Sequence, residues 1–346
     1  LMEMSRMFIV GSPPAEATRA RRRRSARRLA ALAVLALVQL ALGVPARLAG
    51  EVPAEQSTPT FSDEVQVAWI LVPVIVKGPS GYLNGLERED FDLKVDGRSI
   101  RFPDFEPRGE APWSLVFLQD LSGSMGVGGR LEASHEAIDY FLDAARPGDE
   151  FSLATFAGED TNIDVPFTED LEALRESVAS WEGYGKTALH DAVALLPRIS
   201  GDSRNVKRAV VLITDGVDNA STVTAAAARE IVRQAQLPVY VFGLESGDPF
   251  AAPTSADGVY SYADMLNLLA HMTGGRYFAI ASPDDMKEAC ASVAEDLRYQ
   301  YVLGFETQGT GKNAFRTIQV QVRAKKARQV LSRKGYQGLP PASGSK

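Results

Sequence analysis

The chain has 346 residues, enough for about two domains. Its composition is 45% hydrophobic, 23% charged and 8% aromatic, which excludes a wholly disordered or collagen-like protein. Residues 1–50 hold nine arginines and two acids, leaving 28 basic and 42 acidic residues, a net charge of −14, in the remainder. The negative net charge of the residues after 50 argues against a nucleic-acid partner, because phosphate contacts need a clustered basic face. The single cysteine, Cys290, excludes an internal disulfide, and three histidines leave little for a zinc site.

Residues 1–50 are predicted to be a signal peptide or an N-terminal anchor. Residues 21–28 hold six arginines, and an apolar run from Leu29 to Val44 follows them. This order of charge and hydrophobicity is typical of an export signal, and the run is short for a membrane span. We therefore expect an exported protein, periplasmic or secreted. Contact with a membrane is expected only if this segment stays uncleaved.

The rest of the chain divides into two β-rich flanks around an α/β segment. Residues 51–62 are rich in Pro, Glu, Ser and Thr and are predicted to be a linker, and residues 63–111 have the short alternating runs of β-strands. In residues 112–298, strands that are apolar throughout alternate with helix-length segments, which indicates a doubly wound, mostly parallel sheet. Residues 299–338 return to β, and residues 339–346 are predicted to be a disordered tail. We predict that the two flanks pair into one small β-rich domain, into which the α/β domain is inserted.

Within the α/β segment, hydrophobic periodicity predicts the elements in chain order. They are a strand at Leu115–Gln119, a helix at Leu131–Ala145, strands at Glu150–Ala157 and Asn162–Phe167, helices at Leu171–Trp181 and Ala188–Ile199, a strand at Arg208–Thr214, a helix at Ala225–Gln236, a strand at Pro238–Leu244, a helix at Tyr262–Met272, a strand at Arg276–Ile280 and a helix at Pro283–Leu297. The connection at residues 245–261 is long for this fold and is expected to shape a specificity surface.

Three segments of this domain are expected to place oxygen-bearing side chains at the carboxyl edge of the predicted sheet. Ligands of open α/β sheets gather at that edge. An all-oxygen donor set selects a hard cation over zinc or copper, and we expect Mg²⁺, with Mn²⁺ or Ca²⁺ as alternatives. The donors are the carboxylates of Asp120 and Asp215 and the hydroxyls of Ser122, Ser124 and Thr187.

The string Asp120-x-Ser122-x-Ser124, with Thr187 and Asp215 in later loops, resembles the metal-ion-dependent adhesion site of the von Willebrand factor type A domain. Further matches resemble the bacterial branch called VWFA-related acidobacterial; among them are Leu71–Val74, Pro147–Asp149, Thr273–Arg276 and Arg333–Tyr336. The resemblance implies that the three hydroxyls touch the metal and that the two carboxylates lie beside it, binding directly or through water.

The resemblance also implies how a partner is held. Neutral hydroxyls leave the cation under-neutralised, so an Asp or Glu of a protein partner can complete the roughly octahedral shell of Mg²⁺. Gly123, Met125, Lys186 and Gly216 surround the donors in sequence and are predicted to contact that partner. Lys186 departs from the glycine common in the family at this position. It is expected to point to solvent, the alternatives being competition with the metal or help in holding the partner's carboxylate.

The function predicted from the sequence is a non-enzymatic, exported binding protein with no small-molecule substrate. The alternative is a scaffold subunit of a cell-envelope assembly in which the metal is structural or unused. A hydrolase is disfavoured, because Ser122–Gly126 departs from the GxSxG pattern of a nucleophile elbow at its first position. His190 lies one turn beyond Thr187, and we expect it to be a helix-face residue rather than a base, since no nucleophile is evident near it.

Overall fold

The structure is a computed structural model that describes residues 67–107, 109, 111–199, 201–216, 218–234, 237–244, 262–308 and 314–338. The predicted leader (1–50), linker (51–62), long connection (245–261) and tail (339–346) lie outside these residues. Across the part of the chain that is described, none of the helices combines the length and the apolar character that a membrane crossing requires.

The elements follow one another as strands, then alternating strands and helices, then strands. In chain order they are β1 (Val67–Gly78), β2 (Gly81–Tyr82), β3 (Phe91–Val95), β4 (Arg98–Ser99), β5 (Asp104–Glu106), β6 (Trp113–Asp120), α1 (Arg130–Asp143), β7 (Glu150–Ala157), β8 (Asp160–Thr168), α2 (Leu171–Ala179), α3 (Leu189–Ala194), α4 (Leu196–Ile199), β9 (Lys207–Thr214), α5 (Ala225–Gln234), β10 (Val239–Leu244), α6 (Tyr262–Thr273), β11 (Tyr277–Ile280), α7 (Pro283–Arg298), β12 (Tyr301–Gln308), β13 (Phe315–Val322), β14 (Gln329–Ser332) and β15 (Gly335–Gln337).

The central sheet of the α/β domain has the strand order β11-β10-β9-β6-β7-β8. Its neighbouring strands are parallel except for β7 and β8, which are antiparallel. Every residue of β6 and β7 is buried, as expected for strands covered on both faces. One face packs on α1 and α7 through Phe117, Phe141 and Val293. The other packs on α3, α5 and α6 through residues such as Val210 and Leu266. The predicted doubly wound α/β class is confirmed.

The two flanks form antiparallel sheets with each other. Strand β1 pairs with β12 and with β14, and β3 pairs with β13, so each of the two sheets contains strands from before and from after the α/β domain. Their core contains Val72, Leu93 and Leu303, each with 0% of its surface exposed. We call this small β-rich domain the β module. Its formation from the two flanks agrees with the fold-class prediction.

The β module contacts the edge of the parallel sheet where its strands begin. Asp296, near the end of α7, has a fully buried side chain that accepts a hydrogen bond from the Tyr82 hydroxyl of β2 at 2.6 Å. The Lys77 ammonium lies 3.3 Å from the same carboxylate, and Arg276, just before β11, lies 3.3 Å from its other oxygen. An eight-residue strand such as β6 spans about 26 Å, so the carboxyl edge of the sheet lies well away from these contacts.

One predicted helix is divided in the structure. The segment expected to be continuous over Ala188–Ile199 forms α3, which ends at Ala194, and the short α4, which begins at Leu196. Pro197 is the physical reason, because it has no backbone N–H to donate to the preceding turn. At the break between the two helices, the backbone N–H of Leu195 bonds the Ala192 carbonyl, three residues back, and not the carbonyl four residues back that a continuous helix would use.

Candidate functional site

The carboxyl ends of β6 and β9 lie side by side. They bring together the loop after β6, which holds Ser122 and Ser124 and which we call the serine loop, and the loop after β9, which holds Asp215. Strand β6 pairs in parallel with β9, with Gln119 opposite Ile213. Asp120 follows directly, with 0% of its surface exposed. Its Oδ2 accepts a hydrogen bond from the Thr214 hydroxyl at 2.6 Å, and its Oδ1 accepts one from the Ser122 backbone N–H at 2.8 Å. The carboxylate is therefore fixed from two sides.

The serines of the first loop are hydrogen-bonded in a line toward Asp215. The Oγ atoms of Ser122 and Ser124 are 3.2 Å apart, and Ser124 donates to Asp215 Oδ1 at 2.9 Å. Ser122 has 2% of its surface exposed, whereas Ser124 is exposed. The line runs from the buried floor of the loop to its surface.

Thr187 enters the same place from a third loop. The Gly123 N–H donates to the Gly185 carbonyl at 3.1 Å, which ties this loop to the serine loop. A Cβ atom built on Gly216 would lie 2.6 Å from Thr187 Oγ1 and 3.3 Å from Asp120 Oδ2. The hydroxyl and the carboxylate therefore flank one glycine, and only glycine leaves room for both.

The buried carboxylate of Asp120 has a raised pKa. The pKa of Asp120 is raised to about 6, chiefly by burial and also by the negative charge of Asp215. The hydrogen bonds from Thr214 and Ser122 oppose this rise in pKa, because they stabilise the ionised form. The site therefore holds a carboxylate that would gain from a neighbouring positive charge.

Sequence reasoning missed a positively charged side chain that lies beside this site. Arg130, the first residue of α1, places Nη1 2.9 Å from Asp215 Oδ2 and donates from the same nitrogen to the Ser124 carbonyl at 2.8 Å. The side chains of Arg130 and Asp215 are 18% and 2% exposed. The signal in the sequence was only an arginine shortly after the serines, and its spacing does not reveal which carboxylate it reaches.

The loop after β9 is fastened to the start of α3. Asn219 Oδ1 accepts a hydrogen bond from the Thr187 N–H at 2.9 Å, and Asp191 Oδ1 accepts one from the Val223 N–H at 2.8 Å. His190 Nδ1 lies 3.2 Å from Asp218 Oδ2 and 3.1 Å from the Val223 carbonyl. These contacts give His190 acceptors within the loop and fix the loop that carries Asp215.

The donor set assembled here is chemically suited to a hard divalent cation. In the residues that the structure describes, no group of three or more His, Cys, Asp or Glu side chains could hold a metal ion. Three of the five predicted donors are hydroxyls and two are carboxylates, and such all-oxygen sets favour Mg²⁺, Mn²⁺ or Ca²⁺. The geometry brings Asp120, Ser122, Ser124, Thr187 and Asp215 to one edge of the sheet. A metal at these residues stays a prediction.

The four residues predicted to contact a partner divide into two pairs. Gly123 and Lys186 are exposed beside the donors, so both stay candidates for contact. Met125 is wrong as a contact residue, because its side chain is 0% exposed and belongs to the apolar core. Gly216 is also buried, and its structural role is to leave space between Thr187 and Asp120.

The family comparison agrees with the position of these loops. Residues 115–217 match the family model described as the von Willebrand factor type A domain. This range begins inside β6 and ends just after Asp215, so it includes all of the predicted metal ligands.

Individual relatives are distant and longer than the matched region. The chain is 28% identical over 152 residues to the human inter-alpha-trypsin inhibitor heavy chain H4, a match that covers 38% of this chain and 16% of that protein. It is 25% identical over 183 residues to an uncharacterised protein of Borreliella burgdorferi, with 48% and 53% covered. The chain thus spans less than two thirds of either relative. Among solved structures, a von Willebrand factor type A protein of Catenulispora acidiphila has 14% identity and a TM-score of 0.45, with 83% of this chain and 76% of that one covered.

Proposed function

The chain contains a von Willebrand factor type A domain, a protein-interaction module in many of the proteins that carry it, and from this premise we propose that it is a metal-dependent binding protein. Mg²⁺, with Mn²⁺ or Ca²⁺ as alternatives, would be held by Asp120, Ser122, Ser124, Thr187 and Asp215. The captured group would be an Asp or Glu side chain of a protein partner.

The convergence of three loops on one oxygen-lined point carries this proposal. Asp120 and Thr187 flank Gly216, and the hydroxyls of Ser122 and Ser124 lead from there to Asp215. When bound, the cation would supply a positive charge with a coordination position open to an outside carboxylate. The chain's own residues fix the floor of the site, since Thr214 and the Ser122 N–H hold the Asp120 carboxylate in place. Ser124 lies at the exposed end, where a partner can approach.

The proposed role is non-enzymatic. In the described residues the hydroxyl of Ser124 bonds Ser122 and Asp215, and no imidazole bonds either serine. The one histidine near the site, His190, contacts Asp218 and Val223 instead. A nucleophilic serine needs a base within hydrogen-bond reach.

Isothermal titration of the purified chain with Mg²⁺ tests the metal part of the proposal. Thr187→Val removes one hydroxyl with almost no change of shape, and Thr161→Val on β8 is the matched control. We expect saturable Mg²⁺ binding that the control retains and that Thr187→Val weakens by about tenfold or more, the effect of losing one ligand. Absence of Mg²⁺ binding in a folded wild-type protein would refute the metal site.

The second candidate is a scaffold subunit in which the metal is structural or unused. The ion pair between Arg130 and Asp215 supports it, because a guanidinium at 2.9 Å already offers this carboxylate a positive charge. Affinity capture from the native envelope, in Mg²⁺ and in EDTA, separates the two candidates. Capture that is lost in EDTA and in Thr187→Val supports the metal bridge, whereas capture that is indifferent to both supports the scaffold.

We further propose that the protein is exported, and that it is either released or held at a membrane by its N-terminal segment. This rests on the arginines of residues 21–28 and the apolar run from Leu29 to Val44. Mass spectrometry of the protein isolated from its native cells would identify the mature N-terminus. A cytoplasmic protein that retains residues 1–50 would refute export.

A further inference from the structure

Two large apolar side chains are exposed on the loops that form the candidate metal site. Val127 has 65% of its surface exposed and Tyr184 has 48%. The other exposed large apolar side chains in the described residues are all less exposed, at 37–43%, and they are Trp69, Tyr140, Val206 and Leu268. We call Val127 and Tyr184 the apolar rim.

The backbone fixes the apolar rim to the metal-site loops. The Tyr184 N–H donates to the Leu121 carbonyl at 2.7 Å, and the Val127 N–H donates to the Ser124 carbonyl at 3.2 Å. A Cβ atom built on Gly183 would lie only 2.6 Å from the Gly126 nitrogen, so the residues just before Tyr184 and Val127 are in direct backbone contact. The two side chains therefore start from adjacent points beside Ser124.

The side of the rim at Tyr184 has more acidic than basic side chains. The Gly158 N–H donates to the Lys186 carbonyl at 2.6 Å, so the turn before β8 lies beside this loop, and the exposed carboxylates of Glu159, Asp160 and Asp164 outnumber the exposed ammonium of Lys186. Tyr184 has a pKa raised first by partial burial and then by the carboxylates of Asp160 and Asp164 on β8. Glu159, in the turn before β8, is exposed. A second acidic residue of a partner would be repelled there, whereas a basic residue would be attracted.

We propose that the apolar rim is the specificity surface of the site, and that its partner is a protein segment with an Asp or Glu next to a large apolar residue, followed by a basic residue. This inference rests on the proposed metal-bridge function. The acidic residue completes the metal shell, the apolar residue covers Val127 and Tyr184, and the basic residue lies near Asp160 and Asp164. Burial of an aromatic anchor beside a polar contact is the usual way in which an interface gains both affinity and selectivity.

A displayed library of random peptides, selected on the full chain in Mg²⁺ and counter-selected in EDTA, tests this inference. We expect Mg²⁺-dependent peptides in which an acidic residue has an apolar neighbour, with basic residues enriched beyond it. For such a peptide, Tyr184→Ser should raise the Kd by about tenfold and Val127→Ser by about threefold, the range of moderate interface residues. Tyr140→Ser and Leu268→Ser are the controls, because they remove exposed apolar side chains of α1 and α6, which are 37% and 39% exposed, and they should leave the Kd within about twofold.

Failure of this inference and failure of the proposed function give different results. If no peptide is retained in a Mg²⁺-dependent manner, the metal bridge fails and the rim proposal fails with it. If the retained peptides are acidic but show no apolar neighbour, or if the rim variants bind them as the wild type does, the metal bridge stands and the rim proposal is overturned. Because the peptide composition is obtained with the wild-type chain, the result does not depend on the folding of any variant.

Discussion

The two candidate functions give different roles to Asp215. Its carboxylate accepts a hydrogen bond from Ser124 through one oxygen and pairs with Arg130 through the other, each at 2.9 Å. A cation bound at the site would share this carboxylate with the guanidinium. The two positive charges would repel each other, so Arg130 would lower the affinity of the proposed site for metal while it stabilises the metal-free protein.

We therefore predict that Arg130→Ala binds Mg²⁺ more tightly. The expected change in Kd is about three- to tenfold, in line with the ~1 kcal/mol of a partly exposed ion pair. Isothermal titration measures it, and Arg175→Ala is the control, since Arg175 pairs with Asp143 on α1 at 2.7 Å and its loss changes the net charge equally. Weaker binding by Arg130→Ala would mean that Arg130 orients Asp215 for the metal instead of opposing it.

The buried carboxylate of Asp120 makes the metal-free protein sensitive to pH. Its folded-state pKa of about 6 lies above the ordinary value of 3.8, so between these values the folded protein binds a proton that the unfolded chain does not. We predict that this residue adds up to about 3 kcal/mol to the free energy of unfolding as the pH falls from about 7 to 4. The gain is lost again as the pH rises through 6.

Urea unfolding in EDTA at several pH values checks this prediction by comparison with Asp120→Asn. The amide is neutral at every pH, and the Thr214 hydroxyl can accept a hydrogen bond from it. The wild type should gain stability relative to the variant as the pH is lowered. If the difference between the two proteins does not change with pH, the Asp120 pKa is not raised.

At the residue scale the sequence predicted the oxygen donors but not what holds them. Asp120, Ser122 and Ser124 lie in one short loop, so their proximity follows from chain connectivity. Asp215 was placed by the parallel order of the strands, whereas Thr187 lies between two helices and was placed by the family resemblance. The contact made by Arg130 depends on the path of a long, flexible side chain, which neither spacing nor periodicity determines.

Among the structural elements, the close approach of two loops holds the residues of the candidate metal site in place. A Cβ on Gly183 would lie 2.6 Å from the Gly126 nitrogen and 2.9 Å from its Cα, distances that real side chains do not adopt. We predict that Gly183→Ala separates these loops and weakens Mg²⁺ binding by about tenfold or more, because displaced ligands bind a metal poorly. Gly109→Ala is the control, since its Cβ would meet no atom within 4 Å.

Calorimetric titration with Mg²⁺ and circular dichroism of Gly183→Ala separate a local change from loss of the fold. The expected result is a native spectrum with weakened binding. Binding equal to that of the wild type would show that the Gly183 contact with Gly126 does not position the ligands.

The end of α7 is fastened to the β module by a buried carboxylate. Asp296 is fully buried and contacts Tyr82, Lys77 and Arg276. Asp296→Ala would leave the charges of Lys77 and Arg276 without their buried carboxylate partner. We therefore predict a loss of about 3–5 kcal/mol in the free energy of unfolding. Urea unfolding measures the loss. Asp143→Ala is the matched control, because its carboxylate is 76% exposed, and it should cost at most about 1 kcal/mol.

A small effect of Asp296→Ala, similar to that of the control, would contradict this role of the carboxylate.

Helix and strand positions were predictable from the sequence because apolar periodicity is a strong local signal. The contacts of Asp296 with Tyr82 and Lys77 were not, since they join residues more than 200 positions apart in the chain. Pro197 shows the opposite case, in which a single local rule would have divided the predicted helix.

At the scale of the whole molecule, the β module cannot form from one flank alone. Strand β1 has β12 and β14 as its long neighbours, and both follow α7 in the chain. The α/β domain therefore brings together the two halves of the module, and the module in turn holds the end of α7. This mutual dependence was predictable as a pairing of flanks, because β patterns lie on both sides of the α/β segment, but the register required the structure.

We predict that residues 62–346 unfold in a single cooperative transition. These residues form one compact unit, and contacts across the boundary extend beyond Asp296, since the Lys334 N–H donates to the Met272 carbonyl at 3.3 Å. Differential scanning calorimetry should give one peak whose calorimetric and van't Hoff enthalpies agree. A chain that ends at Arg298 loses β12 and β14, the long partners of β1, and should melt at a markedly lower temperature. Two separate peaks, with the upper one unchanged in the shortened chain, would show that the α/β domain is stable without the module.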